Sequence, residues 1–224
     1  MSWLLPPSAS TFAPDVDFLY NLILVITGVA FVIVEVGLVW FLIKYRARPG
    51  RKAAYIQGSI RAEIIWTAIP AVTVVVLAVM SNGVWNDIRG RDSVPDGALA
   101  YRIAAKQFEW QVTYAGPDGR LDTSDDFTVR NQLHIPVNRP VVVQLTSEDV
   151  IHSFFVPAFR VKQDAVPGLT IDVWFEATET GEFEIACAEL SGLGHYRMGG
   201  WVTVHEAGDY QRWLTARSAT TALR

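Results

Sequence analysis

The chain has 224 residues, half of them apolar, and its mean hydropathy of +0.22 is high for a soluble globular protein. The formal net charge is −4, and the sequence contains no long basic run, which argues against DNA or RNA as a partner. A single cysteine, Cys187, excludes a disulfide within this sequence.

Two long apolar stretches predict a pair of membrane-spanning helices. The first runs from about Phe18 to Ile43 and the second from about Ile64 to Val84, and each can cross ~30 Å of hydrocarbon as a helix. The segment between them carries the basic residues Lys44, Arg46, Arg48, Arg51, Lys52 and Arg61. By the positive-inside rule this loop is cytoplasmic, so both termini are expected on the outer face of the membrane.

After about Asp92 the sequence changes to short β-rich runs separated by Gly, Pro, Asp and Asn. Many short strands with turn signals between them are typical of a sandwich or barrel. We therefore predict four regions: an outer-face N-terminal segment at 1–17, a transmembrane hairpin with its basic loop at 18–92, an all-β domain at 93–206, and a C-terminal tail at 207–224.

One segment near the C-terminus is rich in soft metal ligands. It reads Cys-Ala-Glu-Leu-Ser-Gly-Leu-Gly-His-Tyr-Arg-Met over 187–198 and lies between two strand-like runs. Thiolate, thioether and imidazole donors select copper. With His152 from a separate loop, Cys187, His195 and Met198 form the ligand set of a cupredoxin site, so the β domain is predicted to be cupredoxin-like.

Five further motifs accompany this segment. They are Glu63-Ile-Ile-Trp-Thr-Ala-Ile-Pro70, Gln107-Phe-Glu-Trp110, Asn131-Gln-Leu-His-Ile-Pro-Val137, Ser147-Glu-Asp-Val-Ile-His-Ser-Phe154 and Lys162-Gln-Asp-Ala-Val-Pro-Gly168. In order and spacing, over nearly the whole chain, these motifs and the Cys187 segment resemble cytochrome c oxidase subunit II. The resemblance implies a two-pass protein of the bacterial inner membrane, with the cupredoxin domain on the periplasmic side.

The resemblance also implies a copper site, with one departure from the family pattern. Matched position by position, the ligands are His152, Cys187, His195, Met198 and the backbone carbonyl of Glu189. In the family a second cysteine helps bridge a pair of copper ions, and Ser191 stands at that position. A serine hydroxyl stays protonated near neutrality and cannot replace a bridging thiolate. We predict either one copper ion that still transfers electrons or an empty site kept as a scaffold.

Other roles follow from the same resemblance. They are electron uptake at Phe108 and Trp110, donor docking at Glu148, Asp149 and Asp164, a proton-pathway entrance at Glu63, and magnesium binding by the Glu189 carboxylate at the boundary with subunit I. Glu63 equally suits a solvated acid at a helix start. Asp149 equally suits a loop acid bonded to backbone amides, which leaves Glu148 as the preferred surface charge.

The predicted function is electron input to a terminal oxidase. Electrons would pass from a periplasmic cytochrome c or similar donor to a heme-bearing subunit I, because two spans and four histidines cannot house the heme centres here. Two alternatives stay open: a structural subunit with an empty copper site in a quinol-fed oxidase, and the equivalent subunit of a nitric oxide reductase. His134 and His205 are expected to be structural or surface residues.

Overall fold

The computed structural model describes residues 5–221 of the chain. These residues form two compact units. One unit is Asp15–Arg89, and the other combines the residues before it with those after it. The chain therefore begins in the larger unit, passes through the smaller unit and returns to the larger one.

The smaller unit consists of two long helices. Helix α1 covers Ala13–Lys44 and helix α2 covers Ile60–Arg89, with 32 and 30 residues. Both exceed the ~20 residues that a membrane span needs, and their apolar side chains are exposed within the described chain. Each helix has an acid in its first turn and a base in its last, as the helix dipole favours. The two predicted apolar helices are confirmed.

The larger unit is a β-sandwich. In the described residues its strands, in chain order, are β1 Leu99–Lys106, β2 Glu109–Tyr114, β3 Phe127–Arg130, β4 Gln132–Pro136, β5 Pro140–Ser147, β6 His152–Val156, β7 Val161–Ala165, β8 Ile171–Glu176, β9 Gly181–Cys187 and β10 Gly199–His205. They form two five-stranded sheets, ordered β3-β2-β1-β5-β8 and β4-β10-β9-β6-β7. Pairs β1–β5 and β4–β10 are parallel, and the other pairs are antiparallel.

The core of the sandwich follows from the two-residue period of its strands. In β5 the alternate residues Val141, Val143 and Leu145 are fully buried, while their neighbours are half-buried. The largest fully buried side chains include Trp110 and Phe154, whose rings meet edge to face with centroids 5.7 Å apart. The predicted all-β, cupredoxin-like domain is confirmed.

The residues before α1 belong to the β-sandwich. The backbone of Ala9 accepts a hydrogen bond from Thr178 and donates one to Ala158, and Thr11 donates to Glu176. The Ser10 hydroxyl donates to the carbonyl of Phe159 at 2.8 Å. This segment was predicted only as an outer-face extension, and its pairing with the sandwich is a new feature of the structure.

The C-terminal helix α3, Ala207–Thr221, packs on β4 and β10 through a cluster of aromatic and imidazole rings. Trp213 stacks on His134 with centroids 4.0 Å apart, and His134 Nδ1 lies 2.8 Å from His205 Nε2. Burial, with smaller contributions from the nearby His205 and Arg217, lowers the pKa of His134 from its ordinary 6.5 to about 4. The histidine pair is therefore held neutral beneath the helix.

This cluster makes stability depend on pH. Because the folded pKa of His134 lies below its unfolded value, the unfolded chain takes up a proton first as pH falls, and stability is lost between about pH 6.5 and about pH 4. We expect the thermal midpoint of the β-sandwich to fall over this range. His134→Phe keeps a ring on Trp213 but cannot titrate, so its midpoint should depend less steeply on pH. Identical pH profiles for the two proteins would contradict the prediction.

Candidate metal centre

The strand ends of one sheet bring the predicted ligands to the same end of the β-sandwich. His152 is the first residue of β6 and Cys187 is the last residue of β9, and these two strands pair antiparallel with Phe154 opposite Cys187. The segment that follows Cys187 returns through a single 3₁₀ turn, His195–Arg197, to β10. Pairing within one sheet thus places residues from distant parts of the chain at one end of the sandwich.

His152 is fully buried and is held from two sides. Its Nε2 lies 2.8 Å from Asp149 Oδ1, and the Trp110 ring meets its imidazole edge to face at 6.3 Å. A carboxylate acceptor favours the proton on Nε2, which leaves the lone pair of Nδ1 available to a metal. Nδ1 lies 4.0 Å from Cys187 Sγ. The structure therefore brings these two predicted ligands together.

Asp149 is bound by several donors at once. Its carboxylate accepts hydrogen bonds from the backbone amides of Gln107 and Val150 in addition to His152. Partial burial raises its pKa, but these hydrogen bonds outweigh that effect, so the pKa is lowered overall. The geometry gives Asp149 a means of orienting His152, which the sequence suggested only as a general loop role.

Two oxygen atoms of the same segment lie close to the thiol of Cys187. The Glu189 carbonyl accepts a hydrogen bond from Sγ at 3.3 Å, and the buried Ser191 hydroxyl lies 3.8 Å from Sγ. Ser191 therefore lies beside Cys187, where the family resemblance expects a second thiolate.

Met198 lies next to Cys187, because the Cys187 backbone amide donates to the Met198 carbonyl at 3.2 Å. Met198 is buried, and the Nδ1 atom of His195 is buried without a hydrogen-bond partner among the described residues. Within residues 5–221, no three His, Cys, Asp or Glu side chains are grouped closely enough to hold a metal ion. The structure thus brings His152 and the backbone of Met198 close to Cys187, whereas His195 does not form a three-residue group with His152 and Cys187 among the described residues.

The donor types fit one copper ion. Two imidazoles, one thiol and one thioether are the ligands of mononuclear copper sites. The unpartnered Nδ1 atom of His195 supports this fit, because a buried polar nitrogen without a partner is costly unless something binds it. The single thiol cannot supply the two sulfur bridges of a copper pair.

The two aromatic residues predicted to take up electrons occupy different environments. Trp110 is fully buried against His152, so an external donor cannot touch it. Phe108 is half-buried, its ring packs against Gly192 and Gly194, and the Arg197 guanidinium lies 6.0 Å from its centroid. Of the two, only Phe108 is placed where a donor could meet it.

The remaining predicted site residues are acids. Glu148 and Glu189 are exposed, and Glu63 lies exposed in the first turn of α2. Asp164 accepts hydrogen bonds from the Ser153 hydroxyl at 2.7 Å and from Lys162 at 3.0 Å, in that order of effect, and both lower its pKa. Its charge is therefore partly satisfied within the domain.

The chain matches known protein families over most of its length. The model for the periplasmic domain of cytochrome c oxidase subunit II matches residues 108–204, and the model for its transmembrane domain matches residues 1–84. The alternative cytochrome c oxidase subunit 2 of Bradyrhizobium diazoefficiens is 32% identical, with 99% of this chain and 86% of that protein aligned. This chain belongs to the cytochrome c oxidase subunit II family.

Other comparisons include a second subunit and a solved structure. The cytochrome c oxidase subunit 2 of Thermostichus vulcanus is 31% identical, with 96% of this chain and 79% of that protein aligned. The crystal structure of the periplasmic domain of subunit II of the Bradyrhizobium japonicum cytochrome oxidase is 33% identical, covers 55% of this chain and 95% of its own, and gives a TM-score of 0.49. As a subunit II, the chain is a membrane component of a heme-copper oxidase, which confirms the predicted family.

Gly194 provides a test of the packing between Phe108 and the metal-ligand segment. A Cβ atom added there would lie 2.4 Å from the Phe108 ring, although the backbone φ of −95° accepts alanine. Gly194→Ala should therefore cost about 1–3 kcal/mol of unfolding free energy through overpacking.

The matched control is Gly208→Ala in α3, where the nearest atom to an added Cβ is the mobile Arg212 side chain at 3.7 Å. Thermal or denaturant unfolding of the full chain measures both variants. Equal stability of the two would show that Phe108 is not in contact with the segment.

Proposed function

We propose that this chain is the electron-input subunit of its oxidase and that it works through a single copper ion. The observation that carries the proposal is the approach of His152 Nδ1 to Cys187 Sγ, 4.0 Å apart, with Ser191 in place of a second thiol. His195 and Met198 would complete the coordination, with the Glu189 carbonyl nearby. Bound copper would cycle between two oxidation states and so carry one electron at a time.

The protein's own residues would prepare this site. Asp149 fixes the tautomer and orientation of His152, and Trp110 packs behind the imidazole. Burial of His152 and Met198 excludes water from that side of the site. Ligands held in this way need little rearrangement when the charge of the site changes, which is what rapid electron transfer requires.

The proposed partners follow from the position of the exposed groups. Of the two aromatic residues predicted to take up electrons, Phe108 is the one that a donor could reach, and the exposed Glu148 offers a negative charge for steering a basic cytochrome c or similar protein. The Glu189 side chain is exposed beside the ligands, so its carboxylate could reach a magnesium ion at the boundary with the heme-bearing subunit I. Asp149 is assigned a positioning role in place of docking.

The proposed orientation places the β-sandwich on the periplasmic side of the bacterial inner membrane. The basic loop after α1 favours the cytoplasm for that loop. The segment before α1 pairs with the sandwich, so both belong on the same side. Glu63, at the start of α2, would then face the cytoplasm, where it could collect protons.

One observation favours a second candidate. His195 is not grouped with His152 and Cys187 in the described chain, as a subunit with an empty, purely structural site would allow. In that case electrons would reach subunit I without passing through this chain.

Copper content separates the two candidates. We expect the full chain, purified in detergent and incubated with copper, to bind one ion, with an intense thiolate-to-copper absorption band and a paramagnetic signal from a single copper nucleus. Ser191→Cys restores a second thiolate at a position 3.8 Å from Cys187 Sγ and should convert the site to a copper pair. The stoichiometry should double, and the hyperfine pattern should show two nuclei.

Two results would contradict the electron-transfer proposal. One is a chain that binds no copper although Ser191→Cys does, which would indicate that the site lost function with the second cysteine. The other is copper that stays bound after Cys187→Ser, which would place the ion elsewhere.

Asp149 can be tested separately from the ligands. Asp149→Asn keeps the shape of the side chain but removes the charged acceptor for His152 Nε2. We expect copper affinity to fall about 10–100-fold, as is usual when the partner of a ligating histidine is lost. Competition with a copper chelator measures the change. Glu148→Gln, the exposed neighbour, is the control and should leave affinity unchanged; equal losses in both variants would indicate a general charge effect.

A further inference from the structure

We propose that Gln107 is a positioning residue that fixes the metal-ligand segment, residues 187–198, relative to His152. The proposal rests on the copper site described above and assigns a role to a residue that binds no metal. Gln107 lies in the two-residue turn that joins β1 to β2. This turn contacts both the loop that carries Asp149 and the metal-ligand segment.

Gln107 donates one hydrogen bond to Asp149, which supports His152, and a second to the metal-ligand segment. Its backbone amide donates to Asp149 Oδ2 at 2.8 Å, and the other oxygen of the same carboxylate holds His152 Nε2 at 2.8 Å. Its side-chain Nε2 donates to the carbonyl of Ser191 at 2.6 Å. One residue therefore links the support of His152 to the metal-ligand segment that carries Cys187.

Few hydrogen bonds hold the central part of this segment. Residues 189–194 include the highly exposed Leu190 and Leu193, at 78% and 98% of their full accessible area. Within residues 5–221, the bond from Gln107 is the hydrogen bond that ties this part to a residue outside 187–198. Without it, Ser191 and the Glu189 carbonyl would be positioned only by hydrogen bonds inside the segment and by the packing of Phe108 on its glycines.

The glycines of the segment leave room for this contact. A Cβ atom at Gly192 would lie 2.5 Å from Gln107 Nε2, and the backbone φ there is +119°, a conformation that side chains rarely adopt. The ring of Phe108 closes against Gly194 beside it. The β1–β2 turn and the metal-ligand segment are therefore in direct contact, and a larger side chain at either glycine would separate them.

The decisive variant is Gln107→Met, which keeps the length of the side chain and removes its hydrogen-bond donor. The matched control is Gln111→Met, because Gln111 Nε2 donates to Glu109 on the same strand, β2, and among the described residues makes no bond to the metal-ligand segment. The first measurement is hydrogen exchange of the full chain in detergent without copper. The amides of Ala188 and His195, which are bonded at either end of the exposed part, are the probes.

Loss of one hydrogen bond should speed exchange of these probes about fivefold in Gln107→Met and leave them unchanged in Gln111→Met. The second measurement is the spectrum of the copper-loaded proteins. The copper hyperfine splitting and the thiolate absorption band should shift in Gln107→Met alone, since they report the placement of Cys187 relative to His152.

The outcomes separate this proposal from the copper site itself. Unchanged exchange in Gln107→Met overturns the proposal. Faster exchange with an unchanged copper spectrum also overturns it, because the ligands would then be placed without Gln107. If the wild-type chain binds no copper, both the proposed function and the positioning role of Gln107 are wrong. If the wild-type chain binds copper and Gln107→Met has the same exchange rates and copper spectrum, only the role of Gln107 is wrong.

Discussion

The antiparallel pairing of β6 with β9 is the constraint on which the candidate metal centre depends. Its register sets Phe154 opposite Cys187, so His152 and Cys187, which lie 35 residues apart, meet at the end of one sheet. Side chains alternate between the faces of a strand, and a slip of one residue would turn Cys187 away from His152. The Trp110 ring packs against both His152 and Phe154, so the hydrophobic core helps to hold His152 and Cys187 in this register.

Signals that are local in the chain made most of the fold predictable. Apolar runs identified both long helices, and short alternating runs identified the sandwich. The boundaries differ for a physical reason: α1 begins at Ala13 and not near Phe18, because hydrogen bonding can start at a proline-containing first turn before the apolar stretch begins. Hydropathy marks the part of a helix that suits a membrane and does not mark where the helix starts.

The ligand residues of the site could be predicted from the sequence, but the residues that position those ligands could not. The identities of the soft donors stand in the sequence, whereas the hydrogen bonds of Asp149 and Gln107 depend on three loops meeting. A carboxylate next to a metal-ligand motif looks the same in a sequence whether it faces a partner protein or a histidine ring. The stacking of His134 with Trp213 was likewise invisible, since it requires α3 to fold back over strands far from it in the chain.

The pairing of the first residues with the sandwich also bears on how the chain is inserted. Ser10 and Phe159 are 149 positions apart, so their bond can form only after more than two thirds of the polypeptide has been made. If the first helix alone were inverted, the N-terminal segment and the sandwich would lie on opposite sides of the bilayer. Ala158, Glu176 and Thr178 would then lack their backbone partners. Completion of the folded domain thus requires that the chain cross the membrane an even number of times between the N-terminal segment and the sandwich.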